Sequence, residues 1–532
     1  MANRSLRIRD ISRRPGRLAE LSPPDLVPLP PPYDREEVSP APPGTPEPAA
    51  PGLDGVSAVG FPRPANAAEE AELVGRFRQG LRRLLSAADN WTFLQPLVLS
   101  LDHCAQCQTC VDACPVYLAS GRHDAYRPTY RSEVLRRLVR EYAQPAGELR
   151  SRLRGEHVDL NWATLSRLLE LSYRCTLCRR CAQACPIGVD NGLIAREIRK
   201  LFSMELGIAP KEIHERGSMV QLEVGSSTGM NPAAARDNVE FLDGEILDQF
   251  GIKMETPWDK EGADVLLLHN AGEILAWPEN PMAFALILQA AGISWTLSSE
   301  LAAYDGVNYG LWYDDAQLAR IALRQAQAAK KLGVKKIVMG ECGHGHKALM
   351  VTADRILTGN LAVPRESALV LLRDIVQSGR LRLDPSRNSF PVTLHDPCNM
   401  VRLMGIVSPQ REILRRICPQ FREMTPHGVD NYCCGGGSGF ALMSAHGFEE
   451  WRVTVAGRMK LRQVLDAFAD QPDPEVKKYV CAPCSNCKGQ LRDIFRRHGV
   501  WEKSGILYGG LAELIANAME DLKRPFIPWE FH

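Results

Sequence analysis

The chain has 532 residues, 16 cysteines and a formal net charge of +1. That length predicts about three domains with buried cores, and 45% hydrophobic content excludes a wholly disordered chain. The near-zero charge gives no electrostatic case for nucleic-acid binding, and the cysteines are too few for a small disulfide scaffold and too clustered for scattered core residues.

A membrane span needs about 20 apolar residues in a row. The longest candidate, at 281–295, is shorter and reads as a buried helix. The stretch 12–15 (SRRP) resembles a twin-arginine signal, but no apolar region follows it. A reducing compartment is therefore expected, either the cytosol or the cytosolic face of a membrane. There, cysteines serve as metal ligands or redox groups more often than as disulfides.

Residues 1–65 read as an extended tail. Six arginines fall in its first 17 positions (Arg4, Arg7, Arg9, Arg13, Arg14 and Arg17), and 23–51 carries twelve prolines. Such a run holds neither a helix nor a central strand. The arginines form a solvated basic arm or a dock for a partner protein or anionic headgroups. From 66 to 220 the period is helical. Residues 69–83 run from acids to arginines, as a helix dipole favours. Val134, Leu135, Leu138, Val139 and Tyr142 share one helical face, as do Leu165, Leu168 and Leu169, and Ile194, Ile198 and Leu201.

This region holds two cysteine runs. Cys104, Cys107, Cys110 and Cys114 precede Pro115; Cys175, Cys178, Cys181 and Cys185 precede Pro186. Both match the bacterial cubane run, whose fourth cysteine ligates the other cluster. Three thiolates on a tight loop cap one face of a cube, and the remote fourth closes it from a following helix whose start the proline sets. One cubane [4Fe–4S] cluster is thus assigned to Cys104, Cys107, Cys110 and Cys185, the other to Cys175, Cys178, Cys181 and Cys114. Zinc sites instead pair two CxxC motifs across a spacer. The 60 intervening residues read as helices, so the region resembles the α-helical ferredoxin modules of respiratory enzymes.

From 255 onward, short apolar runs alternate with helices and Gly/Cys turns. The segments 263–269, 335–340, 390–396 and 477–482 read as buried strands of α/β units. This half repeats itself: 335–345 aligns with 477–487, placing Cys342 opposite Cys484 and Gly345 opposite Cys487. The segment 266–272 aligns with 392–398, and 303–306 with 432–435. Three pairings in one order imply a duplicated module, with boundaries near 255–385 and 386–532. The first copy has kept only Cys342.

The second copy carries Cys398, then Cys433-Cys434-Gly435, then Cys481, Cys484 and Cys487. This pattern resembles the cysteine-rich (CCG) domain of heterodisulfide-reductase-type proteins, which bind a non-cubane [4Fe–4S] cluster. The resemblance implies Cys398, Cys433, Cys434, Cys484 and Cys487 as ligands. Cys481 makes a second CxxC with Cys484, so the register of the last pair stays open, and the gap from Cys434 to Cys484 exceeds the family spacing by a dozen or more residues. Gly435, Gly436, Gly437 and Gly439 let backbone N–H groups approach cluster sulfur. No Lys-Ser/Thr follows them, which excludes a Walker-type phosphate loop. Cys342 with His344 and His346 reads either as a remnant ligand or redox group with proton donors, or as a retained turn. His395 and Cys418 read as structural residues, while Arg402 and Tyr432 flank the site.

Residues 90–520 together resemble the heterodisulfide reductase D family. The expected fold is α plus α/β: a helical ferredoxin domain, then tandem CCG modules, preceded by the Pro-rich extended tail. Segments 395–399, 431–441 and 481–488 resemble the catalytic subunit of DsrMKJOP complexes of sulfur metabolism. That resemblance implies a membrane cytochrome b partner of DsrM type, the other subunits of the complex, and the small sulfur carrier DsrC as substrate. It also implies an oxidoreductase on the cytoplasmic face of the membrane, acting on a disulfide, trisulfide or thiol. Other readings are a different heterodisulfide reductase, the iron–sulfur subunit of a flavin-dependent 2-hydroxy-acid oxidase, and a non-catalytic relay. Reaction direction is not encoded in these motifs.

Overall fold

The computed structural model describes residues 5–13, 16–34 and 53–531. They fall into two compact units. The first holds the described residues up to Ile213, with Trp312–Asp315 and Tyr432–Arg462; the second holds His214–Leu311, Ala316–Asn431 and Gln463 onward. The architecture is α plus α/β, as expected.

The first unit is helical. Its longer helices are Ala67–Leu84, Pro128–Tyr142, Trp162–Ser172 and Asn191–Leu206. Each begins with a recognisable signal. The side chains of Asn66, Asn161 and Asp190 accept first-turn amides, and Pro128 occupies the first helical position. Asn191–Leu206 packs against the other three, burying Ile194, Ile198 and Leu201.

The described residues before 66 include short 3-10 turns at Ile8–Ser12 and Pro23–Asp25 and neither a longer helix nor a strand. Residues 35–51 of the proline run lie outside the described residues, as do Arg4 and Arg14. The described part lies against its own unit. Ile11, Leu29 and Tyr33 are buried, and the Arg167 guanidinium donates to the carbonyls of Ile11, Arg13 and Gly16 at 2.6–2.7 Å. Arg174 grips the Asp54 carboxylate through two bonds of 2.8 Å. Arg7, Arg9, Arg13 and Arg17 point outward, so this backbone is packed while its charges are solvated.

The second unit contains the duplication. Its first sheet comprises β1 (Val265–Leu268), β2 (Trp295–Thr296), β3 (Lys336–Met339) and β4 (Arg365–Ser367), in the order β2-β1-β3-β4. The second comprises β5 (Val392–Leu394), β6 (Phe421–Arg422), β7 (Lys478–Cys481) and β8 (Ile506–Gly509), in the order β6-β5-β7-β8. All pairings are parallel, and the register repeats. Leu266 faces Ile337 in one sheet and Val392 faces Tyr479 in the other, the same positions aligned in the sequence. The sequence pattern picks out β1, β3, β5 and β7. It misses β2, β4, β6 and β8, the outer strands of the two sheets. One apolar core joins the modules, including Val265, Leu267, Val392, Leu394, Tyr479 and Leu514.

Candidate metal centres

The two cysteine runs adopt the same winding. Each turns through left-handed residues on either side of its central cysteine: Gln106 and Gln108 around Cys107, Leu177 and Arg179 around Cys178. Non-glycine residues rarely adopt this conformation, and such strain gathers at functional sites.

The thiols also group across the runs. Burial pushes Cys110 up to about 11, with like charge from Cys104, Cys185 and Cys107 adding to it. Burial likewise raises Cys114 to about 11, and there the neighbouring thiols are Cys178 and Cys175. Cys181 is raised by burial, then by Cys175, with Cys178 and Cys114 also contributing. Each fourth cysteine thus lies with the three of the other run. Cys110 and Cys181 share a small apolar cluster with Val111, so the two groups adjoin. Cys107 is exposed, whereas Cys175, Cys178 and Cys181 are buried.

The prolines behave differently from each other. Pro115 opens the helix Pro115–Ala119 with Cys114 at its cap. Pro186 opens none. A turn with Gly188 at φ +73° follows it, and the helix waits for Asp190, whose Oδ1 accepts from Gly192 and Leu193. A carboxylate accepting two amides is the stronger start signal.

The vicinal pair Cys433-Cys434 also belongs to the first unit. Both thiols are buried. The Gly435 and Gly436 amides donate to the sulfurs of Cys433 and Cys434 at 3.4 Å each. Gly435 has φ +93°, and a Cβ there would sit 2.6 Å from the Gly457 amide. A Cβ on Gly437 would sit 2.5 Å from the Thr176 carbonyl, between Cys175 and Cys178. The Arg180 guanidinium lies 4.5 Å from the centre of the Tyr432 ring. The vicinal loop therefore packs directly on the second cysteine run. Gly435→Ala is expected to cost about 1–3 kcal/mol through φ alone and to displace the loop. Iron analysis of that variant should show loss at the vicinal pair with the signals of the two runs retained.

Cys398, Cys484 and Cys487 belong to the second unit. Cys398 opens the short helix Cys398–Val401, Cys484 caps Ser485–His498, and Cys487 lies in that helix's first turn. The Gly343 amide donates to Cys484 Sγ at 3.3 Å, bringing the Cys342 loop against the Cys484 loop. Cys342 Sγ accepts from the Gly345 amide at 3.3 Å, and burial followed by the Cys484 charge raises its pKa. Asn270, opposite Asp396 in the repeat, donates to Ser485 Oγ at 2.6 Å.

Three expectations about neighbouring residues change or sharpen here. Cys481 is a β7 residue within the apolar core that also holds Cys418, apart from the loop that carries Cys484. His346 is engaged at both ring nitrogens, with the Cys342 carbonyl and Ser367 Oγ at 2.8 Å each, and burial holds its pKa down near 4. Both hydrogen bonds hold the ring in place, and the lowered pKa favours its neutral form. His344 stands edge-on to Tyr309 and is also buried. Arg402 braces its own loop by donating to the carbonyls of Val429 and Asn431, so its guanidinium serves the backbone.

The first module carries other residues at the positions equivalent to the vicinal pair. Asp305 occupies the position equivalent to Cys434. Its buried carboxylate accepts from the amides of Ser227 at 2.8 Å, Val307 at 3.0 Å and Ala271 at 3.2 Å. Tyr304, equivalent to Cys433, donates to the Met230 carbonyl. Both positions are held by hydrogen bonds within the second unit.

Sequence patterns did not reveal a buried charge cluster between the modules. Lys488 Nζ lies 3.0 Å from Glu273 and 3.5 Å from Glu513. Glu341 accepts from the Leu511 and Ala512 amides, and Tyr479 Oη donates to Glu513. The lysine follows Cys487 and the glutamate precedes Cys342. Nothing in the motif spacing pairs them, because each partner comes from a different helix or loop.

Residues 100–189 match the 4Fe-4S dicluster domain family, and residues 392–492 match the cysteine-rich domain family. The chain is 27% identical over 469 residues to the Hdr-like menaquinol oxidoreductase iron-sulfur subunit 2 of Archaeoglobus fulgidus, spanning 79% of this chain and 80% of that protein. It is 24% identical over 428 residues to a dihydromethanophenazine:CoB--CoM heterodisulfide reductase subunit of Methanosarcina barkeri, spanning 79% and 95%. It is also 24% identical over 455 residues to the EtfAB:quinone oxidoreductase of Syntrophomonas wolfei, spanning 80% and 59%. On these matches the chain is an iron–sulfur oxidoreductase similar to subunits of heterodisulfide-reductase-like enzymes. Among the described residues, no helix is long and apolar enough to cross a membrane.

Proposed function

We propose that the chain is a DsrK-type catalytic subunit, peripheral on the cytoplasmic face of a membrane in a DsrMKJOP-like complex. It exchanges electrons with the quinone pool through a DsrM-like cytochrome b and reduces a disulfide or trisulfide, or oxidises thiols, on a DsrC-like carrier. Cys104, Cys107, Cys110 and Cys185 would hold one cubane, and Cys175, Cys178, Cys181 and Cys114 the other. Cys398, Cys433, Cys434, Cys484 and Cys487 would hold a non-cubane cluster. The donor set fits: thiolates are the ligands iron–sulfur clusters take, and backbone amides already point at the vicinal sulfurs. When bound, such clusters store and pass single electrons.

The observation that carries this reading is the packing of Gly437 on Thr176. It sets the reactive-type vicinal pair against the buried cysteine run, while the exposed Cys107 marks the other run as the port to a partner. Reducing a disulfide to two thiols consumes two electrons and two protons. Relatives named as heterodisulfide reductase and menaquinol oxidoreductase subunits support both ends of the scheme.

Anaerobic purification of the tagged full-length chain from its native cells tests the proposal. A haem b membrane protein and a DsrC-like carrier are expected with it. Oxidation in the presence of the carrier's thiol should give a new paramagnetic signal that Cys433→Ser lacks. A spectrum unchanged by thiol would reduce the chain to a relay, and a co-purifying flavoprotein in place of haem would support the flavin-linked reading.

A further inference from the structure

The short helix Gly147–Leu153 follows Pro128–Tyr142 in the first unit and packs against it. Gly147 and Ser151, one turn apart, are its buried residues. A Cβ on Gly147 would sit 2.2 Å from the Arg140 carbonyl oxygen, so the two helices meet at the backbone. Beyond the helix, Tyr142 Oη donates to the Val158 carbonyl at 2.9 Å, and the Val158 amide donates to the Glu141 carboxylate at 3.2 Å. Pinned before and after, the helix holds its outer face in a fixed pose.

That outer face is apolar. Leu149 and Leu153, also one turn apart, are 63% and 79% exposed, the latter the highest value for a large apolar side chain among the described residues. At about 100° per residue, Arg150 lies on one flank of this ridge and Arg152 on the other, with Arg154 just beyond. All three arginines are exposed and form no ion pair among the described residues. Of the nearby acids, Glu148 pairs with Arg78 and Asp159 lies 3.0 Å from His157 Nε2, which leaves Glu156 against three guanidiniums. The N-terminal arginines reach the same part of the unit. Asn161 Nδ2 donates to the Ser12 carbonyl at 3.1 Å, setting the turn Ile8–Ser12 beside the segment that leaves the helix. Arg7 and Arg9 are exposed there, while Arg13 lies 2.9 Å from Asp10.

We propose that the Leu149–Leu153 ridge docks on an anionic lipid surface. Leucines protruding from a helix enter the boundary between headgroups and acyl chains, while guanidiniums on either flank stay with the lipid phosphates. Arg7 and Arg9 add attraction that acts within a Debye length of the surface. A protein partner fits less well. A stable protein interface buries about 800 Å² on each side, and two leucines on a seven-residue helix supply a small part of that. The ridge holds the chain to a membrane directly, beyond any attachment through the proposed complex, and it uses none of the cysteines.

The test is flotation of the anaerobically reconstituted full chain with vesicles of phosphatidylcholine, alone or mixed equally with phosphatidylglycerol. Binding is expected to the mixed vesicles, to be far weaker on phosphatidylcholine alone, and to fall as salt rises. Leu149→Ser with Leu153→Ser should lower the partition coefficient on mixed vesicles by about tenfold or more. Arg150→Gln, Arg152→Gln and Arg154→Gln together should lower it comparably and flatten its salt dependence. Iron content and urea midpoint should match the wild type in both variants, because the altered side chains face outward. If the serine variant is destabilised, Leu149→Ala with Leu153→Ala, which keeps the helix propensity, decides in its place. A wild-type chain that ignores the mixed vesicles, or a leucine variant that binds them as tightly, overturns the proposal. Capture of a membrane subunit by the wild type and not by the leucine variant, without vesicle binding, assigns the ridge to a protein and overturns it equally.

Discussion

Lys488→Met is expected to destabilise the second unit by about 3–5 kcal/mol, the usual penalty for stripping the partner from buried charge. Lys488 and Glu273 are both fully buried, 3.0 Å apart, with Glu513 3.5 Å from the same ammonium. Glu341 completes a set of three carboxyl groups around one lysine. Burial pushes Glu341 up to about 8 against the pull of Lys488, and the charges of Glu513 and Glu273 push it further. The folded chain therefore holds a proton on Glu341 that the unfolded chain releases above about 4.5. The stabilisation tied to that proton is complete below about pH 4.5 and is lost as pH rises through about 8. Anaerobic urea titrations from pH 5 to 9 should show a midpoint that falls with pH in the wild type and flattens in Glu341→Gln. A midpoint independent of pH in the wild type, or unmoved by Lys488→Met, would contradict this account.

Cys434→Ser should remove about a third of the bound iron, the share of one four-iron cluster among three, and abolish thiol-dependent turnover. The signals of the two cysteine runs should persist. Its thiol is buried and receives the Gly436 amide, in a loop fixed by the positive φ of Gly435 and the contact of Gly437 with Thr176. A serine hydroxyl is a harder donor than thiolate and holds iron poorly in such a site. Cys487→Ser should match it, whereas Cys418→Ser and Cys481→Ser should keep full iron, because both residues lie in the apolar core. Loss of iron from Cys481→Ser with retention in Cys487→Ser would reverse the register of the terminal pair.

Cysteine spacing, the helical period of 66–220 and the internal repeat were all legible in the chain. These depend on neighbours a few residues away, or on alignment of one half with the other. The repeat extends to the strand register, where Leu266 opposite Ile337 recurs as Val392 opposite Tyr479. The outer strands were not legible: the inner strands stood out as apolar runs buried on both faces, and Phe421–Arg422 and Arg365–Ser367 at the edges form no such run. Nor was the packing of the N-terminal segment, which depends on Arg167 and Arg174 more than a hundred residues away.

By itself the sequence determined which thiols form each run, which glycines permit the vicinal loop, and that segments of one α/β half align with segments of the other. Only the tertiary structure decided what surrounds them. It placed Cys481 in the core, occupied both nitrogens of His346 and set the Asp305 carboxylate among three backbone amides. Local spacing governs how a loop can wind, because backbone geometry is short-ranged. Burial and charge depend on groups brought from distant positions, and no spacing rule records those.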